Sequence, residues 1–251
     1  MFDDLELRFG LKNATHAIVG GGSAGGLATY YHADFVQQRM ESAIVRAAPD
    51  SGWFLSTPLK PAWPQSLTWI SRAMNNTEAL NQGCVKSALA ASKDPTVVCV
   101  LPEDAAPHIQ TPLFVMNSRF DPIMDRISAG IEGSNDSAVR EVGAMLLASV
   151  RERALEGGSQ SRNVAFITAC HEHCGQWGQG QRLGPGGAFN DFNVTIEGKT
   201  GAVAADQWWH WLDAGAPKGG GGFVPSSRLW LQGADYPCSD CCDGGDGTVG
   251  H

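Results

Sequence analysis

Residues 16–26 read His-Ala-Ile-Val-Gly-Gly-Gly-Ser-Ala-Gly-Gly, and the fold turns on how they are read. The apolar run 16–20 fits a short buried strand that ends in a glycine-rich turn. From Ala24 the period becomes helical, with Leu27, Tyr31 and Phe35 at i, i+4 and i+8 and Arg39 near the end. Gly21-Gly22-Ser23-Ala24-Gly25 is therefore a G-x-S-x-G set between a strand and a helix. A nucleophile elbow requires that context: the turn is so tight that the neighbours of Ser23 must be small, and the hydroxyl stands clear of the sheet. The helix beginning at Ala24 aims backbone N–H groups and partial positive charge at a reacting oxygen, which makes the Ala24 N–H an expected oxyanion-hole donor. A phosphate loop fits less well. No Gly-Lys-[Ser/Thr] follows, and Gly20, Gly22 and Gly25 match the dinucleotide spacing only loosely.

Working outward, residues 43–46, 111–117 and 164–168 read as further strands. A helix is expected over 137–155, with Val139, Val142, Leu146 and Val150 on its core face and Gly157-Gly158 ending it. A second is expected over 202–212, carrying Trp208, Trp209 and Trp211. Residues 51–102, rich in prolines and tryptophans and holding two cysteines, read as an excursion with little regular structure. Strands alternating with helices imply an α/β fold, α/β-hydrolase-like, with a mainly parallel sheet and helices on both faces. We read 1–251 as a single domain. Glycines 219–222 form a flexible link into a Gly- and Cys-rich C-terminal extension, 219–251, and no internal repeat is visible.

Composition removes several function classes. Among 251 residues, 18 basic and 26 acidic side chains give a net charge of −8, and no basic run is present. A broad nucleic-acid surface is therefore not expected. With 43% hydrophobic residues the chain can bury a sizeable core, and no stretch of about 18 apolar residues would span a membrane. The first eight residues do not resemble a signal peptide. Yet seven cysteines and four N-x-[Ser/Thr] sites, at Asn13, Asn75, Asn135 and Asn193, fit a secreted protein. The odd cysteine count leaves one thiol without an internal partner, and an absent upstream segment would explain both features.

A serine nucleophile needs a base and a group to orient it. In α/β-hydrolases these follow in the order Ser, Asp or Glu, His, each past a strand end. Asp121 lies just after the strand ending near Asn117, and His171 and His173 lie just after the one ending at Thr168. Each alone has a plainer reading, with Asp121 capping a turn before Pro122 and the histidines on the surface. Together, at two successive strand ends downstream of an elbow, they favour a triad. The stretch Cys170-His171-Glu172-His173-Cys174 could bind zinc, as could Cys238-Ser239-Asp240-Cys241, but paired knuckles are missing. We expect no metal and no cofactor, and a Cys170–Cys174 disulfide bracing the histidine loop. The three tryptophans could stack a sugar, although such helices more often pack on a core.

These residues resemble the pectin acetylesterases and the related Notum carboxylesterases. Gly20-Gly21-Gly22-Ser23-Ala24-Gly25-Gly26-Leu27-Ala28-Thr29, with His32-Ala33-Asp34-Phe35, is similar to that family's nucleophile motif. Asp50-Ser51-Gly52-Trp53-Phe54-Leu55, residues 111–117 with Asp121, and the histidine stretch through Cys174 also resemble family segments, as do 202–211 and Tyr236-Pro237-Cys238. The resemblance implies that the histidine directly before the second cysteine is catalytic, which selects His173 over His171. It implies a secreted, monomeric serine esterase that removes acetyl groups from a glycan such as pectin, with Ser23, Asp121 and His173 as its triad. Ala33 stands where many members carry a cysteine. Only twenty-two residues precede Ser23, and the family's Gly-Trp-Cys oxyanion segment has no match, so the N-terminal strands of the fold are expected to be lacking. The alternatives are a weak or inactive hydrolase-fold paralogue serving as a binding module, a Notum-like protein deacylase, and a metal or thiol protein.

Overall fold

The computed structural model describes residues 2–133, 135–156, 162–175, 201–213 and 228–238, together with Ile196. Five parallel strands, β1 (His16–Gly22), β2 (Ile44–Asp50), β3 (Phe114–Ser118), β4 (Val164–Thr168) and β5 (Leu229–Leu231), form one sheet in sequential order. A short acidic helix, α1 (Phe2–Arg8), precedes β1, and α2 (Ala24–Arg39) links β1 to β2. The expected strands and the α/β architecture are all present. The strand predicted at 43–46 is longer in the structure, running on to Asp50, while the one predicted at 111–117 begins later, at Phe114.

All residues of β3 and β4 are buried, as parallel strands covered on both faces should be. On one face, Leu113, Val115, Ala165 and Ile167 pack with Tyr30 and Ala33 of α2. The same core takes in Val142, Leu146 and Val150, which lie along α8 (Asp136–Ser149) and the π-helical turn Val150–Leu155 that continues it. On the other face, Phe114, Met116 and Phe166 meet Ala204 and Trp208 of α9 (Gly201–Asp213). The Trp208 ring lies 5.5 Å from Phe114, and its indole N–H donates to the Arg162 carbonyl at 2.9 Å. Trp208 is thus a core residue at 2% exposure, unable to stack a sugar. Trp209 lies under the guanidinium of buried Arg46, which pairs with Asp213.

The excursion 51–102 differs from expectation. It contains α3 (Ala62–Ala73), α4 (Gln82–Ala90) and α5 (Pro95–Val98), and α6 (Pro102–Ala105) follows directly. Several prolines of this stretch sit at helix starts. Pro95 and Pro102 occupy the first helical positions, where the missing N–H costs nothing. A Cys84–Cys99 disulfide ties α4 to the end of α5. Between β3 and α8 lies α7 (Pro122–Ser128). Among the described residues no helix is long and apolar enough to cross a membrane. The helix stop at 157–158, the link at 219–222, the extension beyond 238 with Cys241 and Cys242, the Trp211 side chain and Asn193 lie outside the described residues.

Candidate active site

Ser23 has φ 57° and ψ −122°, a strained left-handed turn for a residue with a side chain, directly between β1 and α2. Its backbone N–H donates to the Asp50 carbonyl at 2.9 Å. Its side chain does not cap α2, so the hydroxyl is not spent on the helix start. Two glycines near it are required by close approach. A Cβ on Gly21 would sit 2.7 Å from the Gly25 backbone, and one on Gly26 would sit 2.6 Å from the Asp50 carbonyl oxygen. Ala24 is the first residue of α2, and its N–H is among those that a helix start leaves without an intrahelical partner.

Asp121 is the N-cap of α7. Its Oδ1 accepts from the Ile123 and Met124 N–H groups at 2.8 and 3.2 Å, and its Oδ2 accepts from His173 Nδ1 at 2.7 Å. Asp121 thus caps α7 with one carboxylate oxygen and meets His173 with the other. Two backbone amides and an imidazole thereby fix the carboxylate inside the core, where it is 1% exposed. His173 Nε2 is buried and makes no hydrogen bond, so Ser23 and His173 are not directly bonded in this structure. Bonds between nucleophile and base are often long in free enzymes and close up around substrate. Burial alone would push the His173 imidazole down. The Asp121 carboxylate, aided by the adjacent Cys174 side chain, outweighs burial and lifts it to about 10.

The histidine loop is anchored to the strand end that also receives Ser23. The Cys174 N–H donates to Ser51 Oγ at 2.7 Å, the Gly175 N–H to Asp50 Oδ2 at 2.9 Å, and the Ser51 N–H to the Met116 carbonyl. Asp50 and Ser51 therefore join the elbow, β3 and the histidine loop. Sequence reading gave them no role. Their signal was a polar pair directly after Ala47, Ala48 and Pro49. The other expectation in this loop is corrected: Cys174 is a free, buried thiol, while Cys170 is disulfide-bonded, so the two are not bonded to each other. The reason is geometric. Cys174 adopts φ 70° and directs its sulfur at Gly22, 3.1 Å from where a Cβ would stand. Cys238 is also oxidised. His171 sits apart from the elbow, with Nε2 3.8 Å from Asp125. Glu172 is pushed up to about 8 by burial. Among the described residues no three His, Cys, Asp or Glu side chains are grouped to hold a metal.

A parallel sheet with a serine on a strand–helix elbow, and an Asp–His pair brought in from two later strand ends, defines an α/β-hydrolase-like protein. The chain matches the pectinacetylesterase family model over residues 1–243 and belongs to that family. It is 31% identical over 125 residues to pectin acetylesterase 5 of Arabidopsis thaliana, covering 48% of this chain and 28% of that protein. It is 28% identical over 192 residues to pectin acetylesterase 7 of the same plant, covering 68% of this chain and 47% of the relative. The chain thus spans about half or less of the length of these curated relatives. The Wnt deacylase Notum from Drosophila has a similar fold, with a TM-score of 0.64, 21% identity, and coverage of 94% of this chain and 62% of that one.

Proposed function

We propose that the chain carries the reacting groups of a serine carboxylesterase acting on acetyl esters of a glycan such as pectin. The observation that carries this reading is the 2.7 Å His173–Asp121 pair, held on the same strand ends as the Ser23 elbow. In this reading Ser23 Oγ attacks the ester carbonyl while His173 Nε2 takes its proton and returns it to the leaving sugar oxygen. Asp121 fixes the imidazole tautomer through Nδ1 and stabilises the imidazolium. The Ala24 N–H donates to the oxyanion, and water then hydrolyses the acetyl-serine by the same proton path. The acetyl-glycan substrate is supported by family membership and the relatives' names. Secretion is supported by the oxidised Cys84, Cys99, Cys170 and Cys238 and by the exposed positions of Asn13, Asn75 and Asn135.

We assign one oxyanion donor. A second such donor is worth about a hundredfold to a thousandfold in rate. The test is release of acetate from acetylated pectin and from an aryl acetate by the wild-type chain and by Ser23→Ala. Release that depends on Ser23 supports the reading; equal release by both proteins contradicts it.

A further inference from the structure

His171 and His173 stand two residues apart in the loop after β4, while Asp121 and Asp125 stand one turn apart at the start of α7. Positions i and i+4 share a helix face, and i and i+2 share one side of an extended chain. The two segments therefore meet in register. His173 Nδ1 lies 2.7 Å from Asp121, and His171 Nε2 lies 3.8 Å from Asp125. The reaction proposed above uses only the first pair.

The second pair has an energetic peculiarity. The Asp125 side chain is 6% exposed, yet neither of its carboxylate oxygens makes a hydrogen bond. A buried carboxylate left in that state is costly unless a cation faces it. Burial pushes Asp125 up, His171 draws it back, and Asp121 on the same helix adds to the rise. The other titratable group near it is the Tyr236 phenol after β5, itself raised by burial and by Asp136 and Asp125. Tyr236 also holds the His171 ring edge-on, 5.1 Å away. The basic side chain facing Asp125 among the described residues is thus His171, fixed between the carboxylate and an aromatic ring.

We propose that Asp125 and His171 form a positioning couple that holds the histidine loop against α7 and sets the electrostatic field in which Asp121 and His173 work. The role in catalysis rests on the reading of His173 as the base. The couple itself does not.

The test combines NMR titration of the His173 imidazole with pH–rate profiles on an aryl acetate for wild type, Asp125→Asn, His171→Asn and the double variant. Asp125→Asn removes a negative charge facing Asp121, so His173 should titrate lower by about half a pH unit, with kcat down about tenfold and KM little changed. His171→Asn, at a partly exposed site, removes the imidazole that faces Asp125 and should move His173 the opposite way. The double variant should match Asp125→Asn alone, because without the carboxylate His171 has nothing left to act through. An unmoved His173 titration in both single variants, or losses that multiply in the double variant, would overturn the proposal. If His173 shifts as expected but the wild type hydrolyses no ester, the couple stands and the esterase reading falls.

Discussion

β3 and β4 lie inside the sheet with every residue buried, whereas β1 runs along its edge with alternate residues exposed and Ile18 56% accessible. The proposed orienting Asp121 and base His173 follow the two interior strands; the proposed nucleophile Ser23 follows the edge strand. Asp121 is fixed by two amides and an imidazole in a dry core, so its geometry is set by packing on both faces. Ser23 is held differently. Its elbow depends on glycine contacts with the end of β2 and on one backbone bond to Asp50. The difference teaches that the orienting half of the site is specified by the hydrophobic core, and the nucleophilic half by local backbone sterics. Substitutions in the two regions should therefore fail in different ways.

Ser23→Ala should show the largest effect, a fall in kcat on an aryl acetate of at least about 10⁴-fold with an unchanged circular dichroism spectrum. Asp121→Asn comes next, at about 10³- to 10⁴-fold in kcat. Its pH profile carries further information. A base must be neutral to act, so an imidazole lifted to about 10 places the rise of kcat/KM in the alkaline range. Losing the carboxylate should move that rise toward the ordinary histidine value of 6.5. The same raised imidazole contributes stability that is complete below about 6.5 and lost as pH climbs through about 10.

Stability sharpens the contrast between strands. Phe166→Ala in β4 should cost about 3–5 kcal/mol by urea titration, while Ile18→Ala on the exposed edge should stay within about 0.5 kcal/mol. The smallest effect is chemical. Alkylation after denaturation without reductant should label Cys174 and leave Cys84, Cys99, Cys170 and Cys238 untouched, as mass spectrometry of the peptides would read directly.

Much of the layout was legible in the residues, for physical reasons. Apolar runs such as 164–168 permit little besides a strand covered on both sides, and G-x-S-x-G between a strand and a helix permits few turns. The choice of His173 over His171 came from family resemblance, and the structure gives it the short bond to Asp121. What stayed hidden depends on contacts far apart in sequence. Nothing in the spacing of Cys170 and Cys174 reveals that Cys174 turns toward Gly22, 152 positions earlier. The helices of the excursion were missed in a stretch dense in prolines, although proline is also a favoured first residue of a helix. The Asp125 carboxylate, buried without a hydrogen bond, could not be anticipated, since that is a property of the packed state.

The most direct test of the central claim, that Ser23 is a nucleophile activated by the His173–Asp121 pair, is fluorophosphonate labelling of the folded chain followed by peptide mass spectrometry. The account predicts a single adduct on Ser23, absent in Ser23→Ala and formed at least about a hundredfold more slowly in His173→Ala. An adduct on another residue, no adduct on the folded wild type, or labelling of Ser23 at the same rate without His173 would contradict it.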